Sequence, residues 1–405
     1  MITTRVEITP KGRDYIARGG LWVFANEFKT KMKDLKKGEW ADFYFKNEFV
    51  GHGYVNPHSL IAGRICSLKP VTDRKQMFKE LLLTSLKKRQ SVCGKAPRNE
   101  KVIGTFRVVF AESDSLPGLV VDMYTHKNIK TVVAQSSTAG IDTALDDVIV
   151  AINEVLKPDQ FVFKAESGTR HLEGIDNYTK VIKGDESNLS NGVAEEEGVL
   201  VSCDFIKGQK TGFFLDQRDN RIKLREFIQT YYPHAKVLDL CCYSGGWGLS
   251  ALKAGAGHVT FVDQSADAIK LVKKGIKLNN FDESKTEVVV ADVFDFLKQS
   301  TQSYEIVICD PPAFVKSKKN LPQAEQAYLK LNTAATKKLK PEGMLITCSC
   351  SYHLHIEKFT EIAATSFGYC EKTAQVMYFG GQSLDHPWII NRPESNYLKC
   401  LFLKT

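Results

Sequence analysis

From about residue 196 onward, short apolar runs alternate with longer stretches whose apolar positions recur at helical spacing. That alternation predicts a parallel sheet with crossover helices, an α/β fold. Strands are expected at Lys236–Leu240, His258–Val262, Glu287–Ala291, Glu305–Cys309 and Gly343–Cys348. Ser265 is the expected N-cap of a helix running to Asn279, with Ala268, Ile269, Val272 and Ile276 on its apolar face. The N-terminal part reads differently. Trp40-Ala-Asp-Phe-Tyr-Phe and Phe49-Val-Gly-His-Gly-Tyr-Val are β-like runs separated by turn residues, as in a small, mostly β, barrel-like module. A helix is predicted over Lys75–Ser91, where Met77, Leu81, Leu82 and Leu86 form an apolar stripe amid lysines. Between about 100 and 195 the pattern is strand, turn, strand, helix, strand: Thr105–Phe110, Leu119–Met123 beyond Ser115-Leu-Pro-Gly, Ile141–Leu156 and Gln160–Lys164. The polar segment Asp185–Gly198 reads as a linker. The expected domains are 1–72, 73–195 and 196–405.

Charge sharpens this division. The net charge is +8, but residues 1–100 hold 20 Lys+Arg against 10 Asp+Glu, so the remainder sums to −2. A basic excess confined to the N-terminal part fits a polyanion partner there, and fits a solvated lysine-rich surface equally well. There is no apolar run near the ~18 residues of a membrane span, and the basic, apolar-poor start around Arg5, Lys11 and Arg13 leads us to expect no signal peptide. The 10 cysteines lack regular spacing, and neither Cys241-Cys242 nor Cys348/Cys350 has the two-residue gap of a zinc or redox motif. Reduced thiols, a cytoplasmic location, no membrane contact and no metal follow as expectations.

Candidate chemistry lies at the ends of the predicted strands. Val237-Leu-Asp-Leu-Cys-Cys-Tyr-Ser-Gly-Gly-Trp247 reads as strand, tight glycine turn and helix, and Gly245 and Gly246 would let a ligand approach the backbone. Asp263 ends the next strand, where a carboxylate can accept both hydroxyls of a ribose. Asp292 ends the one after, with Val293 and Phe294 suited to an adenine ring. With Asp239, three acids line one sheet edge. Tyr243 and Ser244 stand where a pyrophosphate cradle would want glycine, which favours S-adenosyl-L-methionine over a dinucleotide.

The fourth strand ends in Asp310-Pro311-Pro312-Ala313-Phe314. The prolines stiffen this turn and free a carbonyl, and Phe314 offers a stacking face, so the turn suits a flipped nucleobase. Such a turn alone serves methylation of an exocyclic amine. Carbon 5 of cytosine needs more: a thiolate must add to carbon 6 before carbon 5 can attack a methyl sulfonium. Cys350, just past the fifth strand on the same edge, is a candidate nucleophile, and Asp310 a candidate carboxyl for the ring nitrogen. A buried structural thiol is the ordinary alternative for Cys350. Cys309 and Cys348 lie within strands and read as packing.

Lys210-Thr-Gly-Phe-Phe-Leu-Asp-Gln-Arg-Asp-Asn-Arg221, Tyr243-Ser-Gly-Gly-Trp, Asp310-Pro-Pro-Ala-Phe and Ser349-Cys-Ser follow one another in a familiar order. With Phe110-Ala-Glu-Ser-Asp-Ser-Leu-Pro-Gly-Leu, Trp22-Val-Phe, Tyr54-Val-Asn-Pro-His-Ser, Asp385-His-Pro and Tyr397-Leu-Lys-Cys, the chain resembles the large-subunit ribosomal RNA methyltransferase I family along nearly its whole length. That resemblance implies an N-terminal PUA domain that binds RNA, an α/β middle domain and a class I Rossmann-like methyltransferase domain. It implies 5-methylcytosine formation in ribosomal RNA, with Cys350 matching the nucleophile. Asp263, Asp292 and the Tyr243–Gly246 turn match the cofactor site, with Gln217 close by. Ribosomal RNA is the expected partner, with a homodimer as a further expectation. Two departures stand out: Cys241-Cys242 where the family often has Phe and Ser, and Ala327-Tyr-Leu-Lys-Leu-Asn where Gly-Tyr-Lys-Asp-Ile-Asn is usual. The alternatives are a nitrogen methyltransferase on guanine or an amine, and a non-catalytic RNA-binding assembly factor.

Overall fold

The computed structural model describes residues 4–92, 104–314 and 320–405. The chain divides into two compact units, the first comprising Met1–Gly192, Asp204–Phe213 and Leu384–Ser395, and the second Val193–Cys203, Phe214–Ser383 and Asn396–Thr405. Among the described residues no helix is long and apolar enough to cross a membrane.

The first unit holds two five-stranded sheets. Thr4–Glu7, Glu39–Phe45, Glu48–Val55, Gly63–Ser67 and Trp22–Val23 form the N-terminal one, in that spatial order. The second runs Tyr178–Lys183, Gln160–Ala165, Ile129–Ser136, Leu119–His126 and Phe106–Phe110. The helix Arg74–Val92 buries Met77, Phe78, Leu82 and Leu86 in a core with Val108, Leu119 and Ile152. Each such side chain contributes roughly 1.5–3 kcal/mol by leaving water. Tyr54 of the N-terminal sheet enters the same core, its hydroxyl donating to the Pro117 carbonyl at 2.7 Å.

One expectation fails here for an identifiable reason, and another is refined. The single helix expected over 141–156 is two helices, Ala139–Thr143 and Leu145–Leu156. The Gly140 carbonyl accepts from the Trp40 indole at 3.0 Å and from the Thr143 hydroxyl at 3.0 Å, while the Ala144 N–H turns to the Ile141 carbonyl at 3.1 Å. The segment read as a linker is ordered. Asp185 caps a short helix, Glu186–Ser190, that buries Leu189, and Gly192–Glu196 pairs with Val199–Cys203 in a two-stranded sheet. Glu197 and Gly198 both have positive φ, 50° and 75°, as a tight hairpin turn requires. Strands Ile129–Ser136 and Tyr178–Lys183 were not predicted.

The second unit is built on a seven-stranded sheet. We label its elements β1 (Lys236–Leu240), α1 (Gly246–Lys253), β2 (His258–Asp263), α2 (Ala266–Leu278), β3 (Thr286–Val290), α3 (Val293–Gln299), β4 (Tyr304–Cys309), α4 (Leu321–Thr336), β5 (Leu339–Ser349), α5 (Ile356–Gly368), β6 (Gln375–Gly380) and β7 (Lys399–Lys404). The strand order is 3-2-1-4-5-7-6, parallel except that β7 runs antiparallel to both β5 and β6. All five predicted strands are present within a few residues, and Ser265 caps α2 by accepting from the Ala268 N–H. The order reverses between β1 and β4, and such a switch opens a crevice at the carboxyl ends of those strands.

Candidate functional site

The β1–α1 turn carries unusual backbone conformations. Cys241 and Tyr243 hold φ of 57° and 48°, and Gly245 holds 81°. For the two side-chain-bearing residues these values cost energy, and such strain gathers at functional turns. Gly248, one turn into α1, has a different role: a β-carbon there would sit 2.1 Å from the Phe261 ring, so its absence lets α1 press on β2. Its N–H donates to Oδ2 of Asp239 at 2.9 Å, fixing the helix start to the end of β1. The other oxygen, Oδ1, is buried with no hydrogen-bond partner among the described residues, and the same holds for the Ser244 hydroxyl. Burial pushes the Asp239 carboxyl up to about 8, against the pull of the Gly248 N–H and with the Asp310 and Asp263 charges adding to the rise. Two orphaned polar atoms at one glycine turn are what a hydrogen-bonding, cationic ligand would satisfy.

Asp263 accepts from the N–H groups of Tyr243 and Ser265, each at 2.9 Å, and so ties the strained turn to the start of α2. Asp292 is the N-cap of α3, its Oδ1 accepting from Phe294 at 2.8 Å and Asp295 at 3.2 Å. Both acids thus have structural work, and both still face the strand ends with lone pairs to spare. Val293 and Phe294 open α3, half-buried, beside Asp292.

Asp310 follows β4. Gln217 donates to both of its oxygens at 3.1 Å, and the Trp247 indole donates to Oδ2 at 2.9 Å. Gln217 is itself oriented by Asn220, whose amide donates to Oε1 at 2.7 Å. Burial pushes the Asp310 carboxyl up to about 6, opposed by the Trp247 bond. Pro311 is buried and Pro312 exposed, and the Phe314 ring meets Tyr328 of α4 edge-on at 4.8 Å.

Cys350 stands just past β5, partly exposed, and β4 pairs with β5 so that Cys309 lies opposite Thr347. Asp310 and Cys350 therefore leave neighbouring parallel strands at the same edge. Cys348, by contrast, is fully buried with its sulfur 3.2 Å from that of Cys400, and burial holds its thiol well above the usual range. Cys309 is likewise buried, its thiol raised by burial. The sequence reading passed over three further participants. Trp247 was visible only as the last letter of the glycine turn, Tyr328 only inside a helix that departs from pattern, and Lys399 only within Tyr397-Leu-Lys-Cys. Tyr328 is fully buried and its hydroxyl lies 3.3 Å from that of Ser351, so it connects the Phe314 turn to the Cys350 turn. The Lys399 ammonium donates to the carbonyls of Ser351 and Tyr397, at 2.8 and 2.9 Å. Among the described residues no cluster of His, Cys, Asp and Glu could hold a metal ion.

Comparison with known proteins agrees with this architecture. A family model described as a PUA-like domain matches residues 6–68, and one described as conserved hypothetical protein 95 matches residues 219–372. A solved methyltransferase from Streptococcus mutans, described as S-adenosylmethionine-dependent, superposes with a TM-score of 0.80 at 22% identity, covering 99% of this chain and 100% of that one. Another, complexed with SAH, gives 0.80 at 21% identity over 100% of both chains. These show the fold, a class I Rossmann-like methyltransferase sheet following a PUA-like module. Ribosomal RNA large subunit methyltransferase I of Aliivibrio fischeri is 33% identical over 96% of both chains. Its counterpart in Pseudoalteromonas atlantica is 30% identical over 100% of both. At that identity over the full length, the chain belongs to the ribosomal RNA large subunit methyltransferase I family.

Proposed function

We propose that this chain forms 5-methylcytosine in ribosomal RNA through a cysteine adduct at carbon 6, with S-adenosyl-L-methionine as the methyl donor. The observation that carries the reading is the placement of a partly exposed Cys350 and of Asp310 just past the carboxyl ends of adjacent parallel strands. Bound S-adenosyl-L-methionine supplies an electrophilic methyl group on a positively charged sulfonium. Asp239, Ser244 and the Tyr243–Gly246 backbone would hold its polar end, Asp263 its ribose and Asp292 with Val293 its adenine. Gln217 acts through Asp310, and Asp310 borders both the cofactor and the base.

The chain's own residues do the rest. Pro311, Pro312 and Phe314 grip the extruded base. The Cys350 sulfur bonds to carbon 6, and the electrons of the 5,6 double bond move to carbon 5, which becomes the nucleophile. Asp310 in its acid form hydrogen-bonds the ring nitrogen that gathers charge. Once carbon 5 carries the methyl group, a base removes its proton and the returning electrons expel the thiolate. The PUA-like module supports the choice of RNA. There Arg5 lies 4.1 Å from the centre of the Tyr44 ring, and Arg13, Lys29 and Lys46 surround Phe45 at 5.1, 5.6 and 5.5 Å. Basic groups interleaved with aromatic rings suit a nucleic-acid backbone and its bases.

Ribosomal RNA carrying 5-fluorocytosine tests the reading directly. Fluorine cannot leave as a proton does, so the reaction stalls as a covalent protein–RNA species, visible as a shifted band in denaturing electrophoresis. A methylated RNA whose fluorinated form gives no such species would replace this mechanism with nitrogen methylation.

Asp239 links function to stability. A carboxyl raised by folding contributes stability that is full below the unfolded value near 3.9 and is lost as pH climbs through about 8. Asp239→Asn keeps an oxygen for the Gly248 N–H and removes the buried charge. The ligand-free variant should melt a few degrees higher than the wild type at pH 8 and no higher at pH 4. Its affinity for S-adenosyl-L-methionine should fall at least about tenfold, because the carboxyl that ionises against the ligand's cation is gone. Calorimetry reads both quantities.

A further inference from the structure

We propose that Lys399 is a positioning residue for Cys350: a buried ammonium, clamped against the thiol's own turn, that holds the sulfur as thiolate. The proposal rests on the reading of Cys350 as nucleophile and asks what makes that thiol ready.

The placement comes from strand register. β7 runs antiparallel to β5 with Lys399 opposite Ser349, the residue before Cys350. Its side chain then reaches past the strand end, where Nζ donates to the carbonyl of Ser351, the residue after Cys350, at 2.8 Å. A second bond, 2.9 Å to the Tyr397 carbonyl, fixes the ammonium from its own strand. Lys399 is 7% exposed, and two neutral carbonyls do not offset the cost of burying a full positive charge. No carboxylate pairs with it among the described residues. Burial pushes the ammonium down to about 8, and the one charge that lifts it back is that of Cys350. The interaction is mutual: a thiolate that favours the ammonium is favoured by it.

Other groups around Cys350 do not supply this. Tyr328 of α4 is pushed up to about 12 by burial and stays neutral. Asp310 beyond β4, with its carboxyl at about 6, is an anion at neutral pH and opposes a second negative charge nearby. Cys348 of β5 is held protonated by burial, and it and Cys400 of β7 face each other. Among the described residues, Lys399 is thus a cation held at this turn that offsets Asp310. Forming the thiolate breaks only the S–H bond, with the proton leaving to solvent and the electron pair staying on sulfur.

Alkylation by iodoacetamide tests the proposal on the full chain without RNA, following the Cys350 peptide by mass spectrometry across pH 5–10. The wild-type rate should reach half its maximum below the ~8.5 of a free thiol. Lys399→Met should move that midpoint up by about one pH unit or more and slow alkylation at pH 7 about tenfold. Lys399→Arg, which keeps a charge, should return the midpoint most of the way. A wild-type midpoint at or above the free-thiol value overturns the proposal, and that measurement needs no variant to fold. A Met variant that binds S-adenosyl-L-methionine normally and overlays the wild-type profile overturns it as well. Failure of the adduct mechanism appears separately, as the missing covalent species with fluorinated RNA.

Discussion

Cys350→Ser should lower methyl transfer to RNA by at least ~10⁴-fold and leave S-adenosyl-L-methionine affinity within about threefold. The two atoms differ little in size, and Cys350 is partly exposed, so a packing role would cost the variant about 1 kcal/mol of stability or less and leave the rate nearly intact. A nucleophilic role has no such tolerance. A serine hydroxyl ionises far less readily than a thiol and is the weaker nucleophile, so a positive charge sufficient to favour a thiolate leaves it protonated. The groups proposed to face the cofactor, Asp239, Ser244 and Asp263, lie on β1, the turn between β1 and α1, and β2, so ligand affinity is read independently of the nucleophile. Single-turnover transfer of a tritiated methyl group measures the rate, and calorimetric titration measures the affinity. A variant that retains more than a tenth of the wild-type rate would reduce Cys350 to a structural thiol and return nitrogen methylation to first place.

Much of this edge was legible because most of its acids terminate an apolar run. Asp263, Asp292 and Asp310 fall where a parallel strand ends, whereas Asp239 lies buried inside β1 and was legible by its place just ahead of the glycine turn. The turn between β1 and α1 was legible for the same reason. What pattern could not reach depends on partners far along the chain. Lys399 has the sequence context of a surface lysine, and only the antiparallel register of β7 against β5 buries it beside Ser351. Trp247 reads as an ordinary helix residue until Asp310, 63 positions later, accepts from its indole. The polar run at 185–198 hid two buried apolar side chains, Leu189 and Ala194, and one buried acid, Glu196, which meets Arg221 in a two-bond ion pair at 2.7 Å. Composition averages such residues away, so the order within this segment was not legible, although one boundary between the two compact units, at Gly192 and Val193, falls inside it. Ile141–Leu156 failed for the opposite reason. Its periodicity is helical throughout, but the Trp40 indole, 100 positions from Gly140, takes the carbonyl that would have carried the helix on.

Asp310→Asn separates rate from stability. In the wild type the hydrogen bonds at this group run one way: Asn220 donates to Gln217, Gln217 donates to Asp310, and Trp247 donates to Asp310. An asparagine oxygen can keep the Trp247 bond, but its amide then points donors at the Gln217 donors. Turning Gln217 over would repair that contact and break the one from Asn220, so one bond is lost either way, worth about 1 kcal/mol. Against this, removing a carboxylate that burial disfavours returns stability above pH 6, where the wild-type group is charged. The melting temperature should therefore change little at neutral pH and fall by a few degrees at pH 4, where only the lost bond counts. The rate has no such compensation. Asparagine can neither donate an acidic proton to the ring nitrogen nor carry the charge that balances it, so the maximal rate should fall by roughly 10²–10⁴ with smaller changes in KM. The pH profile provides the sharper test. The acid form of Asp310 declines about tenfold per unit above about 6, so the wild-type rate should carry a falling limb on the alkaline side. The variant should lose that limb and keep the rising one that follows Cys350 ionisation. A variant profile with both limbs intact would leave Asp310 as a scaffold for Gln217 and Trp247 and assign the proton to another group.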